Sequence, residues 1–173
     1  MFYFRVSALL PIFYFSIFLF STQVHAFCFK EAGERYGVDP LLLIAIAQTE
    51  SGLVPTATNI NKKGTPKESI DIGLMQINSI WFGQLSNEWG ITRKDLLNNP
   101  CQNVYVGAYI LALNIKKNGV NWKSIGAYNA GFSDKTEAAR IKYAKKVYNF
   151  YIQLLSKNRD IVIANASRGV LVK

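Results

Sequence analysis

Two carboxylates, Glu50 and Asp71, are the side chains of this sequence best suited to acid–base chemistry. Glu50 follows the apolar run of "LLLIAIAQTES", and Asp71 stands directly before "IGLMQINSIW". Apolar surroundings desolvate a carboxyl group and raise its pKa, which keeps a proton available near neutral pH, as a general acid requires. Two structural alternatives remain open. Glu50 would be an exposed residue at a helix end, and Asp71 would fix its loop through backbone amides.

The only histidine of the chain, His25, lies in a segment with the pattern of a signal peptide. Residues 1–26 combine a start containing Arg5, an apolar run of about 15 residues and "STQVHA". We predict cleavage after Ala26 and a periplasmic protein with no stable membrane span, because the apolar run is short for an anchor and contains Pro11. Loss of the imidazole argues against Ser-His-Asp and Cys-His nucleophilic sites and against histidine-ligated metal sites. No metal and no other cofactor is expected.

Two cysteines, Cys28 and Cys101, remain after this cleavage. An exported chain meets an oxidising compartment, so the pair predicts a disulfide that closes a loop of roughly 74 residues. The alternative is two buried free thiols. The formal net charge of +9 suits anionic surroundings such as cell-wall polymers. The basic residues are scattered, without a helix-turn-helix or basic–aromatic pattern, so nucleic acid is not an expected partner.

The elements that must position the two carboxylates are mostly short helices. "FKEAGERYG" predicts one that ends at Gly37. The next begins with Asp39 as N-cap and Pro40 in its first turn, and it ends at Gly52. Residues 41–47 are apolar all round, so this helix is expected to lie buried at the centre of the domain. Glu50 would then sit in its last turn.

The remaining chain predicts a mainly α, α+β domain over residues 27–156, a bundle of short helices with a small loop or hairpin region lining a cleft. Residues 53–70, rich in Asn, Lys, Thr, Gly and Pro, form that region. Thr92 with Asp95 resembles a capping pair. "CQNVYVGAYILALNIKKNG" predicts a further helix, and a long last helix precedes residues 157–173. That tail shows little helical pattern, and we predict a disordered or partner-binding segment.

Three motifs occur in order between "VDPLLLIAIAQ" and "YAKKVY": "ES" at 50–51, "GLMQ" at 73–76 and "AYNAG" at 127–131. In this order the sequence resembles the lytic transglycosylases of the lysozyme-like superfamily, the soluble-lytic-transglycosylase catalytic domain. The resemblance implies a monomeric enzyme of lysozyme-like fold. It would cleave the β-1,4 bond between N-acetylmuramic acid and N-acetylglucosamine in peptidoglycan glycan strands and close a 1,6-anhydro ring.

The sequence is most similar to the small branch of this family that accompanies type III and type IV secretion and conjugation machines. That similarity lies in a cysteine just after the signal peptide, the "PCQNVYVGAYIL" segment and the acidic residue before "GLMQIN". It implies that the enzyme locally opens the cell wall for such an apparatus, with a component of the apparatus as partner.

The resemblance also implies roles for individual residues. Glu50 matches the family's single essential acid/base, and Asn103 and Gly107 fit its "N-x-x-x-G" helix, although Ile110 stands where many members have tyrosine. Residues expected to contact the substrate or to hold the acid in place are Ser51, Met75, Gln76, Tyr128, Asn129 and Tyr143. Structural alternatives stay open for Met75 and Tyr143 as core residues and for Gln76 as a bridge within a turn.

Asp71 is unexpected in a one-carboxylate transglycosylase. The region around it, "ATNINKKGTPKESIDIGLMQINSIW", also resembles animal lysozymes, in which an aspartate precedes a similar turn and supports positive charge at the sugar C1. Our hypothesis is that Asp71 lies across the cleft from Glu50 and stabilises an oxocarbenium-like transition state. Two other functions remain open, a muramidase that uses water and a non-catalytic wall-binding assembly protein.

Overall fold

A computed structural model describes the backbone of residues 27–167 and the side chains of residues 27–158. The predicted signal peptide lies outside the described residues. Helices and strands, numbered in chain order, are α1 (Phe29–Tyr36), α2 (Pro40–Ser51), β1 (Thr58–Asn61), β2 (Ser69–Ile72), β3 (Ile77–Asn78), α3 (Phe82–Trp89), α4 (Arg93–Asn98), α5 (Pro100–Asn118), α6 (Trp122–Ala130) and α7 (Glu137–Ser167). Short 3-10 turns cover Ser79–Trp81 and Asp134–Thr136. The mainly α fold with a small sheet confirms the predicted fold class.

Local sequence signals set the ends of the first helices as predicted. The Asp39 carboxylate accepts a hydrogen bond from the Leu41 N–H at 2.8 Å, which satisfies a donor that the helix itself leaves unpaired. Pro40 occupies the first turn, and Gly52 ends α2. The capping pair of Thr92 and Asp95 at the start of α4 is also confirmed. These ends place Glu50 in the last turn of α2.

The region between α2 and α3 is a three-stranded antiparallel sheet in the order β1-β2-β3. This confirms the hairpin alternative for residues 53–70. In its register Asn59 lies opposite Asp71 on one side, and Asn78 lies opposite Asp71 on the other. Asp71 is therefore the middle residue of a row across the sheet.

Two helices share the centre of the domain. α2 buries Leu43, Ala45, Ile46 and Ala47 and packs against α1, α5 and α7. α5 packs against α1, α2, α4, α6 and β3 and buries a longer stretch of its length. The predicted burial of α2 is confirmed, and α5 adds the surface onto which the sheet region is anchored.

The disulfide between Cys28 and Cys101 is present, as predicted. It joins the residue before α1 to the first turn of α5, across 73 positions of sequence. In the chain-entropy treatment, closing a loop of this size stabilises the fold by up to about 4 kcal/mol.

The last helix differs from the prediction. α7 continues from Glu137 through Ser167, so the prediction of little helical order beyond Lys157 was wrong. The physical reason is that no glycine or proline interrupts the chain between Gly131 and Gly169, and weak apolar periodicity alone does not end a helix. None of the helices in the described part of the chain is long and apolar enough to span a membrane.

Candidate active site

A cleft of about 800 Å³ contains both predicted carboxylates. Glu50 enters it from the end of α2, and Asp71 enters it from the sheet. Gln76 lies on the loop between β2 and β3, and Tyr128 and Asn129 line the cleft from α6. The structure therefore brings together residues that lie far apart in sequence.

The electrostatic surroundings of Glu50 raise its pKa from 4.5 to about 7. Burial of the carboxyl group is the largest cause, and the negative charge of Asp71 acts in the same direction. A hydrogen bond from the Tyr143 hydroxyl to Oε1, 2.6 Å long, opposes the rise, as does the positive charge of Lys146. Near neutral pH the group is therefore poised between its acid and base forms.

Three asparagine side chains hold the Asp71 carboxylate. Asn61 Nδ2 donates to Oδ2 at 2.7 Å, and Asn59 Nδ2 donates to the same oxygen at 3.4 Å. On the other side Asn78 Nδ2 donates to Oδ1 at 2.6 Å. The alternative in which Asp71 fixes a loop through backbone amides does not match these contacts, since the donors are side chains of the neighbouring strands. The carboxylate is fixed in orientation and faces the cleft.

Asn103 of α5 positions the loop that follows Asp71. Its side chain, fully buried, accepts from the Met75 N–H at 2.8 Å and donates to the carbonyls of Ile72 and Leu96 at 3.0 and 3.1 Å. Gly73 has φ +77° and lies so close that a Cβ there would overlap the Asn103 amide. The "N-x-x-x-G" pattern of α5 thus anchors the floor of the cleft.

Gly107, one turn further along α5, provides the space for Met75. A Cβ at Gly107 would lie 2.7 Å from atoms of the Met75 side chain, which is fully buried. The carbonyl of Met75 accepts a hydrogen bond of 2.9 Å from the Tyr128 hydroxyl. The side chain of Met75 therefore lies in the core beneath the cleft, as the structural alternative for this residue required.

Ser51 and Gln76 both bind backbone groups. The Ser51 hydroxyl contacts the carbonyl of Leu74 at 2.8 Å, which ties the end of α2 to the cleft loop, and Ser51 is not among the described residues that line the cleft. Gln76 Nε2 donates to the carbonyls of Ala57 and Gly73 at 3.1 and 2.9 Å. Since both of its N–H groups are used, the group that Gln76 can offer to a sugar is the Oε1 acceptor.

Two tyrosine hydroxyls lie buried beside Glu50. Burial, followed by the charge of Glu50, raises the pKa of both Tyr128 and Tyr143 well above the ordinary value. They therefore remain neutral donors, Tyr143 to the acid and Tyr128 to the loop. Asn129 is exposed and borders both the main cleft and a smaller cavity behind Glu50. The functional roles of these site residues stay predictions.

Sequence reasoning missed the three asparagines around Asp71. The signal was the alternation in "TNIN" and "QIN", which puts Asn59 and Asn61 on one face of β1, but it becomes meaningful only with the strand register. Of the tryptophans considered, Trp81 lines the cleft. Trp89 packs edge-on against Tyr109, and Trp122 packs against Tyr148.

The chain is similar to a known family and to several known proteins. A family model described as "Transglycosylase SLT domain" matches residues 27–151. The chain is 42% identical to Invasion protein IagB of Salmonella typhimurium, over 79% of this chain and 86% of that protein. It is 43% identical to X polypeptide of Escherichia coli, over 75% of each chain. Protein IpgF of Shigella flexneri is 38% identical, over 77% of this chain and 84% of that protein.

Among solved structures, an inactive mutant of the lytic transglycosylase Slt from Pseudomonas aeruginosa is similar, with a TM-score of 0.58 and 21% identity. The match covers 78% of this chain and 25% of that one, so this chain corresponds to a quarter of the larger protein. This similarity supports the fold alone.

Proposed function

We propose that this chain, which belongs to the Transglycosylase SLT domain family, is a lytic transglycosylase that cleaves the β-1,4 bond between N-acetylmuramic acid and N-acetylglucosamine in peptidoglycan. The product would carry a 1,6-anhydro ring. The observation that carries this proposal is Glu50, a partly buried carboxyl group with a pKa of about 7, hydrogen-bonded to Tyr143 in a cleft of about 800 Å³.

In the proposed reaction Glu50 acts twice. Its protonated form donates to the glycosidic oxygen, and the bond from that oxygen to C1 of the muramoyl residue breaks. The resulting carboxylate then accepts the proton of the C6 hydroxyl of the same sugar, while O6 forms the new bond to C1. The N-acetyl group beside C1 supports the positive charge, so no protein nucleophile and no water are consumed. A pKa near neutral suits a group that must first donate and then accept.

Asp71 has a proposed supporting role in this reaction. Its carboxylate lines the same cleft as Glu50, and asparagine side chains hold both of its oxygens. A fixed negative charge at this place would stabilise the oxocarbenium-like transition state without reorganising during the reaction. The prediction for Asp71→Asn is a large loss of turnover with intact folding. Near-normal turnover in a folded variant would leave Asp71 as a structural residue.

A muramidase is the second candidate function, and the presence of Asp71 in the cleft is the observation that favours it. With two carboxylates flanking the bond, water can replace the C6 hydroxyl as the attacking group. Glu50 would remain the acid. The two functions differ in the attacking group and therefore in the product.

Mass spectrometry of the muropeptides released from purified peptidoglycan separates these functions. Products without a reducing end, lighter by one water molecule than hydrolytic ones, would support the transglycosylase reaction. Reducible, hydrated products would make the protein a muramidase. Glu50→Gln is the matched control, because Gln keeps the shape and the acceptor for Tyr143 but has no proton to donate. Release of the same products by this variant would contradict the assigned acid.

We further propose that the protein is exported through residues 1–26, acts in the periplasm as a monomer and opens the wall locally for a secretion or conjugation apparatus. The resemblance of the sequence to that small branch supports this role, and the name of the relative "Invasion protein IagB" fits it. Mass spectrometry of the protein from a periplasmic extract tests the export step, with an N-terminus at Phe27 as the expected result.

A further inference from the structure

A second groove, of about 380 Å³, lies on the other side of α7 from the acid. Trp122 and Lys123 of α6 form one wall, and Ile141, Ala144 and Tyr148 of α7 form the other. None of the residues that line this groove lines the cleft or the cavity behind Glu50. The groove is therefore separate from the site already described.

The groove continues along α7 as an exposed apolar stripe. Ile141, Tyr148, Ile152 and Leu155 are spaced seven, four and three residues apart, so they share one face of the helix. Their side chains are 49%, 46%, 42% and 38% exposed, respectively. Trp122, 38% exposed, rests edge-on against Tyr148 with 5.1 Å between ring centroids. Exposed apolar side chains that share one face of a helix are typical of interaction sites.

The opposite face of α7 serves the active site. Tyr143 lies two positions after Ile141. Residues two positions apart on a helix are about 200° apart around its axis, so Tyr143 points away from the stripe. Its hydroxyl contacts Glu50. A protein bound along the stripe would therefore leave the cleft open to a glycan strand.

Positive charge surrounds the groove. Lys123 and Lys145 stand at its two walls, and Arg140 lies beneath it, with its guanidinium donating to the carbonyls of Gly131 and Ser133. Glu137 is the acidic residue among those that line it. The groove thus presents apolar walls and more cationic than acidic residues around them, which favours an acidic partner.

We propose that this groove binds an amphipathic helix of another protein, whose apolar side chains are flanked by aspartate and glutamate. The apolar stripe at helical spacing fits the helix-in-groove mode of recognition. A second copy of this chain that bound through the same face would bring its own Lys123 and Lys145 against those of the first copy, and like charges repel. The last residues of this chain, 157–173, are also basic and therefore do not complement the groove. They contain Lys157, Arg159, Arg168 and Lys173 and a single acidic residue, Asp160.

A displayed library of short helical peptides tests the proposal. Its members share apolar residues at i, i+3, i+4 and i+7, and their polar positions are drawn from Asp, Glu, Lys and Ser. Selection on the purified protein should enrich peptides rich in Asp and Glu. Binding of the enriched peptides, measured by fluorescence anisotropy, should weaken about tenfold or more in Ile141→Glu. Val54→Glu, which adds the same charge at an exposed apolar residue outside the groove, should leave it unchanged.

Charge reversal gives the second arm of the test. The double variant Lys123→Glu, Lys145→Glu should select peptides that are rich in lysine. As a control for an intact cleft, Ile141→Glu should release muropeptides at the same rate as the unaltered protein. Enrichment without preference for acidic residues would overturn the proposal, as would binding that survives Ile141→Glu. Dimerisation in sedimentation experiments that Ile141→Glu abolishes would also overturn it, because a second copy would then be the occupant.

Discussion

The raised pKa of Glu50 makes a prediction about stability that does not depend on any assay of activity. In the folded protein the pKa is about 7, against 4.5 for the unperturbed group. Between these values the folded state holds a proton that the unfolded state has lost. Stability contributed by this group is therefore present below about pH 4.5 and declines as pH rises to about 7. At about 1.4 kcal/mol per pKa unit, the full loss is about 3 kcal/mol.

Replacing Glu50 with Gln removes this pH-dependent cost. Gln has no charge to bury, and its Oε1 can still accept the hydrogen bond from Tyr143. The variant should be more stable than the unaltered protein by up to about 3 kcal/mol at pH 8, and the difference should shrink toward zero near pH 4. Turnover should be lost at every pH. A loss of stability caused by the proposed acid would fit the general trade-off between stability and function.

Urea unfolding followed by circular dichroism at about pH 4, 6 and 8 measures the difference. Other titrating groups are common to both proteins, so their contributions cancel in the comparison. Glu88→Gln on α3 is the matched control, since it removes an exposed carboxylate of the same type and should show no pH-dependent gain. A Glu50→Gln variant that is equally or less stable at pH 8 would refute the reasoning, because the carboxylate would then not be desolvated.

Three further predictions concern residues that position the groups of the cleft. Tyr143→Phe removes a bond that lowers the pKa of Glu50, so the basic limb of kcat/KM should move upward by about 1 pH unit or more. Asp71→Asn removes a charge that raises the same pKa, so the basic limb of the kcat/KM profile of this variant should move to lower pH. A shift of the basic limb in the same direction in both variants would contradict this account. Asn103→Ala should destabilise the fold by about 3 kcal/mol in urea unfolding, since it leaves buried backbone groups unpaired, and an unchanged midpoint would exclude the anchoring role.

Elements with strong local signals could be predicted from the sequence. The start of α2 follows from Asp39 and Pro40, and its end follows from Gly52, since each residue acts within one turn of its own position. The burial of α2 followed from its continuous apolar surface. The position of Glu50 in the last turn followed from these boundaries. The apolar residues before it predicted that its carboxyl group would be desolvated.

Features that depend on tertiary register could not be predicted in the same way. The roles of Asn61 and Asn78 require β1 and β3 to flank Asp71 in one alignment, and no short-range pattern fixes that alignment. The resemblance to the family implies that Ser51 contacts the substrate or holds the acid in place. On a helix, adjacent residues point about 100° apart, and the Ser51 hydroxyl instead contacts the backbone carbonyl of Leu74.

The opposing influences on Glu50 explain why the site needs more than a buried acid. Burial alone would raise the pKa of the carboxyl group so far that it would stay protonated. Such an acid donates its proton poorly, because the buried carboxylate that remains is costly to form. Tyr143 and Lys146 stabilise the carboxylate, whereas Asp71 disfavours it, and the balance leaves the pKa at about 7. In the proposed reaction one group must both donate and accept a proton. A pKa close to ambient pH minimises the free-energy difference between these two states, so the balance serves both steps at once.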